Sequence, residues 1–73
     1  MDTSGTKITV TINGDEREVP ALLTVRGLLA HLELREGTVV VEWNREIVRR
    51  ERYDDVAVGA GDTIELVHFV GGG

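Results

Sequence analysis

The side chains that most often carry out catalysis are few in this 73-residue chain and poorly placed for it. Ser4 is the only serine and precedes the first predicted element, so a serine triad has no ordered nucleophile. His31 and His68 are the only histidines, and neither has a second metal ligand at a suitable spacing. Cysteine is absent, which excludes a disulfide scaffold, a thiolate metal site and sulfur relay through a thiol of the chain itself. We therefore expect no catalytic residues, no metal and no cofactor bound by this chain.

Carboxylates are numerous, and their distribution points to a solvated surface. The pairs Asp15-Glu16 and Asp54-Asp55 fall in predicted turns or loops of a chain too small to enclose a substrate. Thirteen acidic against eight basic residues give a net charge of −5, which argues against nucleic acid or an anionic membrane as the main partner. No segment approaches the ~20 apolar residues of a membrane span, and the N-terminus lacks the apolar core of a signal peptide. We expect a cytoplasmic protein that is monomeric when free.

The chemistry of this chain is expected in its last residues, where a predicted strand gives way to Gly71-Gly72-Gly73. Glycine lacks a Cβ atom and has the widest backbone freedom and the smallest cross-section of any residue. Such a tail can enter a narrow channel in an extended form and deliver a terminal carboxylate to another protein. It cannot be a phosphate-binding loop, because no helix N-terminus follows it. Residues 71–73 are therefore predicted to be a flexible functional tail.

The N-terminal part of the chain predicts a β-hairpin. Apolar and polar residues alternate over residues 7–12, the period of a half-buried strand. Asn13-Gly14 follows directly, and this dipeptide tolerates the positive φ angles of a tight hairpin turn. The return strand, residues 15–19, is expected to stop at Pro20, which has no N–H for a ladder. Residues 1–6 are mostly small and polar and are expected to be frayed.

One amphipathic helix is predicted after Thr24, a favourable N-cap residue. Gly27 inside the helix is interpreted as a point of close packing against the sheet, and Gly37 is expected near the end of the helical unit. The apolar stripe has the i, i+3, i+4, i+7 spacing of one helix face: Val25, Leu28, Leu29 and Leu32.

The remainder predicts three further strands, at residues 39–43, at 47–48 after an Asn44-Arg45 turn, and at 63–70. Residues 49–55 are charged and irregular. Trp43 and Tyr53 are interpreted as packing residues.

The element order favours an α+β fold in which one helix covers one face of a mixed sheet of four to five strands. A right-handed connection through the helix allows the last strand to pair parallel to the first in the middle of the sheet, which is the β-grasp (ubiquitin-like) arrangement. A ferredoxin-like fold is disfavoured because residues 49–58 carry too weak a helical stripe for a second helix. Residues 1–73 are expected to form this single domain.

Short motifs spread over residues 7–73 occur together in register with these elements. They are Ile8-Thr9-Val10-Thr11-Ile12-Asn13-Gly14, Glu18-Val19-Pro20, Thr24-Val25, Leu28-Leu29 ahead of Leu32, Val39-Val40-Val41-Glu42, Asn44, Glu46-Ile47-Val48, Arg50, Gly61-Asp62, Ile64-Glu65 and Val70-Gly71-Gly72-Gly73. In these motifs the sequence resembles the ThiS family, the sulfur carriers of thiamine biosynthesis. It departs from the family at Arg45, where glycine is frequent, and at Arg49, where proline is common.

The resemblance implies a carrier rather than an enzyme. A ThiF-type adenylyltransferase, using ATP and magnesium, would convert the Gly73 carboxylate to an acyl-adenylate, with Gly71 and Gly72 as the threading tail. A sulfur donor, such as a cysteine desulfurase carrying a persulfide, would displace AMP and leave a thiocarboxylate. Thiazole synthase would then take the sulfur into the thiazole ring.

Other functions remain open for the same fold and tail. Sulfur carriers for molybdopterin or cysteine synthesis share both, although the Asn13-Gly14 hairpin and the short ending after Gly61 favour the thiamine type. A ubiquitin-like modifier joined to target lysines would use the same tail and adenylate, and a plain docking domain would need no tail chemistry.

The last predicted strand also indicates where partners bind. If Glu65 points to solvent, Val67 and Phe69 share its face by the period of two. Apolar residues on an uncovered sheet face usually mark a docking surface, so we expect Val67, His68 and Phe69 to contact partners. A bulge would instead place Phe69 in the core. The residues expected to face the helix are Ile64, Leu66 and Val70.

Overall fold

The computed structural model describes residues 6–68. The predictions for Phe69, Val70 and residues 71–73 therefore lie outside the described residues, as does the predicted fraying of residues 1–5. Single turns of 3₁₀ helix at Glu36–Thr38 and Arg50–Arg52 lie before the third strand and after the fourth. The regular elements are β1 (Lys7–Ile12), β2 (Asp15–Pro20), α1 (Val25–His31), β3 (Val39–Trp43), β4 (Glu46–Val48) and β5 (Thr63–His68).

Within residues 6–68, five strands form one mixed sheet in the order β2-β1-β5-β3-β4. The pairing of β1 with β5 is parallel, with Thr11 opposite Thr63 and Ile12 opposite Ile64, and the other three pairings are antiparallel. The first and last strands are thus neighbours in the middle of the sheet. This is the β-grasp topology expected from the element order, with β4 as the fifth strand.

Both hairpins turn through two residues that have positive φ. The angles are 51° and 88° at Asn13 and Gly14, and 49° and 72° at Asn44 and Arg45. Two consecutive positive φ values are what a type I′ hairpin turn requires, and asparagine and glycine adopt them most readily. Arg45 has no such preference, so the second turn carries backbone strain at that residue.

The helix begins as predicted and buries the predicted face. The hydroxyl of Thr24 accepts a hydrogen bond of 3.2 Å from the Gly27 N–H, which satisfies one free donor of the first turn. Val25, Leu28 and Leu29 are at most 1% exposed, and they cover one face of the sheet with apolar surface.

The helix ends at His31, earlier than Gly37 suggested. Glu33, at φ 62°, follows the last turn, its N–H donates to the Ala30 carbonyl, and the Leu34 N–H donates to the Leu29 carbonyl. These are the two hydrogen bonds of a Schellman C-cap, in which a glycine usually holds the left-handed position. Because Glu33 holds it here, the sequence offered no glycine to mark the end.

The interpretation of Gly27 as a contact with the sheet was wrong. A Cβ atom at Gly27 would lie 3.1 Å from Cδ2 of Leu23, in the loop that leads into the helix. That distance is too short for ordinary van der Waals contact, so the glycine lets the loop side chain fold over the first turn. The predicted helix stripe is otherwise confirmed, with Leu32 half-buried beyond the helix end.

Among the described residues, an apolar core lies between the helix and the sheet. Tyr53 belongs to it at 2% exposed, and half-buried Trp43 packs against it, which confirms their interpretation as packing residues. The core residues contributed by the sheet are Val10, Ile12, Val19, Val39, Val41, Val48, Ile64 and Leu66.

Candidate functional site

The exposed half of β5 leads directly to the glycine-rich end of the sequence. Ile64 and Leu66 face the core, whereas Glu65 and Val67 face solvent on the side of the sheet that the helix leaves open. This alternation confirms the predicted parity from Ile64 to Val67, and His68 at the end of the strand is exposed as well. Val67 keeps 59% of its surface exposed, which is unusual for an apolar residue on a central strand.

Two cross-strand pairs surround Val67 on this open face. Val40 on β3 lies opposite Val67, and Glu42 lies opposite Glu65. The valine pair extends the apolar surface. The glutamate pair places two like charges opposite each other on neighbouring strands, an arrangement that destabilises a sheet. Ile47, 68% exposed on β4, lies opposite Glu42 and continues the apolar surface towards the sheet edge. We call Val40, Glu42, Ile47, Glu65 and Val67 the open-face patch.

On the β1 side, β5 loses its strand partner part-way along. The parallel pairing ends at Ile12 and Ile64 because β1 then turns away at Asn13. The side chain of Asn13 reaches the Leu66 backbone beyond that point, with the Leu66 N–H donating to Oδ1 at 2.7 Å. Val67 and His68 are paired with β3 alone among the strands of residues 6–68.

A groove of about 360 Å³ lies beside this end of β5. The two histidines, His31 at the helix end and His68 at the strand end, both line it and are both exposed. The two histidines are 37 positions apart in the sequence, and no local spacing pairs them, because only the parallel crossover brings the strand and helix ends together. The remaining lining residues are Ile12, Asn13, Arg17, Leu32, Glu33, Leu34 and Leu66.

The opposite end of β5 is anchored by Asp62. Its carboxylate accepts hydrogen bonds from the Gly59 N–H at 2.7 Å and from Trp43 Nε1 at 2.8 Å, both at Oδ2. Asn44 Nδ2 donates to Oδ1 at 3.2 Å. Burial opposes ionisation of this carboxyl, but the three donors outweigh it together and hold the pKa of Asp62 below its usual value. No periodicity predicted this network, although it joins the end of β3 to the beginning of β5.

An ion-pair cluster ties the helix to the segments before β3 and after β4. Arg26 donates to Glu36 and, at 2.8 Å, to Asp54, and Arg50 donates to Glu36 at 3.1 Å. The hydrogen bond from Arg26 holds the pKa of Glu36 below its usual value. The Arg26 guanidinium also lies 6.0 Å from the centre of the Tyr53 ring, and burial raises the pKa of that phenol. This cluster supports the fold, since it joins α1 to two connecting segments around a core tyrosine.

Among residues 6–68, no group of histidine, cysteine, aspartate and glutamate side chains could hold a metal ion. None of the helices in that part of the chain is long and apolar enough to cross a membrane. Of the predicted partner-binding residues, Val67 and His68 are exposed at the end of β5, and Phe69 lies outside the described residues.

The fold and this site define the class of protein: a ubiquitin-like β-grasp protein whose central strand ends in exposed residues and is followed in the sequence by glycines. The sequence model of the ThiS family matches residues 10–73, and the chain belongs to that family.

The chain is similar in sequence to a sulfur carrier protein and to a segment of a thiazole synthase. The sulfur carrier protein ThiS of Bacillus subtilis is 50% identical over 50 residues, which cover 68% of this chain and 76% of that protein. A thiazole synthase of Paramagnetospirillum magneticum is 48% identical over 62 residues, which cover 85% of this chain. The chain spans only 19% of the length of that synthase, so the likeness concerns one segment of it.

Solved structures agree with the family. The crystal structure of the thiamine biosynthesis protein (ThiS) from Geobacter metallireducens superposes with a TM-score of 0.79 at 36% identity. The match covers 90% of this chain and 100% of that one. The solution structure of a thiamine biosynthesis protein from the same organism superposes with a TM-score of 0.76.

Proposed function

We propose that this protein is a cytoplasmic sulfur carrier for thiazole formation in thiamine biosynthesis and that sulfur is carried on the carboxyl carbon of Gly73. The observation that carries the proposal is the match to the ThiS family, which runs from β1 through the fold and into the last glycine. The likeness to a segment of a thiazole synthase supports the same pathway, because a carrier and the enzyme that consumes its sulfur benefit from proximity.

The chemistry follows from the weakness of a carboxylate as an electrophile. The Gly73 carboxylate attacks the α-phosphorus of ATP on a ThiF-type adenylyltransferase, with Mg²⁺ on the phosphates, and pyrophosphate leaves. A persulfide on a sulfur donor such as a cysteine desulfurase attacks the acyl carbon, AMP leaves, and an acyl disulfide forms. A second thiol reduces the S–S bond, forms a new disulfide with the donor, and leaves the thiocarboxylate. The catalytic groups belong to the partner enzymes, and this chain is a protein co-substrate.

The tail residues each have a steric role in this proposal. Gly71 and Gly72 thread a channel too narrow for a Cβ atom, and Gly73 presents the reacting carboxylate. Val67, His68 and Phe69, at the root of the tail, contact the partner, together with the open-face patch. Glu42 and Glu65 lie opposite each other and repel each other in the free protein. A cationic side chain of the partner placed between them would relieve this repulsion, so it would contribute more binding free energy than it would beside an isolated carboxylate.

The test uses the full chain with a ThiF-type adenylyltransferase, ATP, Mg²⁺ and a persulfide donor, read by intact mass. We expect one oxygen to be replaced by sulfur in the wild type. The change should be absent when Gly73 is removed and strongly slowed in Gly72→Val, whose fold stays intact because it lies beyond β5. A sulfur shift that persists without Gly73 would contradict the assignment of the site.

A second step separates thiamine biosynthesis from other uses of the same tail. The thiocarboxylated chain is offered to thiazole synthase and to the large subunit of molybdopterin synthase, and a tagged chain is blotted for adducts of higher mass. Sulfur transfer to the first enzyme alone is expected. Transfer only to the second, or adducts on lysines, would replace the thiamine role with another carrier role or with protein modification.

A further inference from the structure

Asn13 holds the central strand through both its backbone and its side chain. Its N–H donates to the Ile64 carbonyl at 2.9 Å. Its Oδ1 accepts from the Leu66 N–H at 2.7 Å, and its Nδ2 donates to the Leu66 carbonyl at 3.2 Å. These three hydrogen bonds connect residues more than 50 positions apart in the sequence.

The Asn13 carboxamide takes the place of peptide groups that β1 does not supply. In a continuing parallel ladder, the N–H and C=O of Leu66 would pair with the next peptide groups of β1. The chain instead turns at Asn13 and Gly14 to enter β2. A side-chain carboxamide has an acceptor oxygen and a donor N–H, as a peptide group does. The Asn13 side chain therefore adds one more pair of hydrogen bonds to the β1–β5 ladder, beyond the point where β1 ends.

This extra position is the last attachment of β5 on that side within residues 6–68. Peptide groups of Ile64 and Leu66 face Asn13, so the same groups of His68 face that side by the period of two, where β1 no longer runs. Beyond Leu66 the strand is paired only with β3. The contact at Leu66 therefore helps to fix the direction of β5 over its last two residues, Val67 and His68.

We propose that Asn13 is a positioning residue for the reaction at Gly73: its carboxamide fixes the direction in which β5 points at its C-terminal end. This role rests on the proposed activation of Gly73. This role requires no contact of Asn13 with the reacting carboxylate or with ATP. Asn13 reduces the range of directions that the end of β5 samples when the protein is docked, so that a larger share of complexes is productive.

Asn44 provides a matched control, since it is the only other asparagine in the chain and occupies the same position in the second hairpin turn. Its Oδ1 accepts from the Thr63 N–H at 2.9 Å, at the opposite end of β5. Asn13→Gly and Asn44→Gly each keep a residue that favours positive φ, and each removes a side-chain acceptor from one N–H of the same strand. The two variants differ in which end of β5 loses its contact, the C-terminal end in Asn13→Gly and the beginning in Asn44→Gly.

Two measurements test the proposal at a temperature where all variants are folded. Amide hydrogen exchange should accelerate at Leu66 but not at Thr63 in Asn13→Gly, and at Thr63 but not at Leu66 in Asn44→Gly. In adenylation assays with varied carrier concentration, Asn13→Gly should lower kcat by about tenfold at similar KM, because docking is kept and alignment is lost. Asn44→Gly should leave kcat within about twofold of wild type. Asn13→Asp keeps the acceptor and loses the donor, so its kcat should lie between Asn13→Gly and wild type.

The possible failures are distinguishable. Equal kcat values for the two glycine variants, with wild type active, would overturn the positioning role and leave the carrier function standing. Unchanged exchange at Leu66 in Asn13→Gly would likewise overturn it, because the carboxamide would then not hold the strand. A wild-type chain that no ThiF-type enzyme adenylates would overturn the proposed function, and this role with it.

Discussion

Trp43 Nε1 and Asp62 Oδ2 are joined by a hydrogen bond of 2.8 Å that connects the last residue of β3 to the residue just before β5. The same carboxylate oxygen accepts the Gly59 N–H, so one charge closes the turn and orients the indole. Since β5 carries the candidate site, Asp62 fixes the beginning of the strand whose other end is exposed.

Asp62 is expected to make stability depend on acid. A carboxyl whose pKa is lowered in the folded state contributes stability above its unfolded pKa of about 3.9, and this is lost as pH falls through the folded pKa. Asp62→Ala should lower the free energy of unfolding by about 2 kcal/mol at neutral pH, because Gly59 and Trp43 lose their acceptor. Urea unfolding at neutral pH and at about pH 2 checks this: the gap between variant and wild type should narrow in acid. A gap that is the same at both pH values would contradict the assignment.

Arg45 is expected to be a site where a substitution to glycine stabilises the protein. At φ 72° a side chain is strained, so Arg45→Gly should raise the free energy of unfolding by about 1 kcal/mol. Gly14→Ala is the converse control in the first hairpin: no atom lies within 4 Å of the added Cβ, so its cost of about 1 kcal/mol comes from φ alone. Thermal unfolding of both variants is the measurement. A lower melting temperature for Arg45→Gly would mean that its side chain makes a contact worth more than the strain.

Val67 is expected to matter for binding and not for folding. Val67→Ser should weaken binding to the adenylyltransferase by about tenfold while changing stability by no more than about 0.5 kcal/mol. Leu22→Ser is the matched control, because Leu22 is 92% exposed and lies in the loop after β2, at the end of the sheet away from the tail. Titration calorimetry of both variants against the enzyme gives the comparison. If the two variants lose the same affinity, Val67 does not lie in the contact with the enzyme.

Glu65 is expected to have opposite effects on the free and bound protein. Glu65→Gln removes the repulsion from Glu42 and should stabilise the free domain by about 0.5 kcal/mol. It should also weaken binding to the partner, and binding of the wild type should fall more steeply with salt than binding of the variant. Glu18→Gln, on the same face of edge strand β2, serves as the control. If Glu65→Gln binds more tightly than wild type, the partner presents no cation there.

Residues with strong local preferences made most of the fold predictable. Asn13-Gly14, the period of two in β1, and Thr24 with its apolar stripe each determine structure within a few residues. The parity of β5 also followed, since Ile64 and Leu66 had to face a core that Glu65 could not enter. These features follow from local backbone preferences and from the alternation of apolar and polar residues, and both can be read from a sequence.

The contacts that complete the site could not be predicted, because they depend on where the chain returns. Asn13 contacts Leu66 only after the crossover places β5 beside β1. Trp43 contacts Asp62 only once β3 and β5 have paired. The helix end was misjudged for a related reason. Glu33 adopts a left-handed conformation that a C-cap favours but that glutamate itself does not.

The parallel pairing of β1 with β5 also determines when the domain can fold as the ribosome makes it. The hairpin of β1 and β2 and the helix emerge first. The sheet lacks its middle strand, β5, until residues 63–68 have left the exit tunnel. Such long-range pairing makes closure late and slow relative to local structure. A nascent chain therefore cannot offer a finished docking surface to its partner before the segment that leads into the glycines has been synthesised.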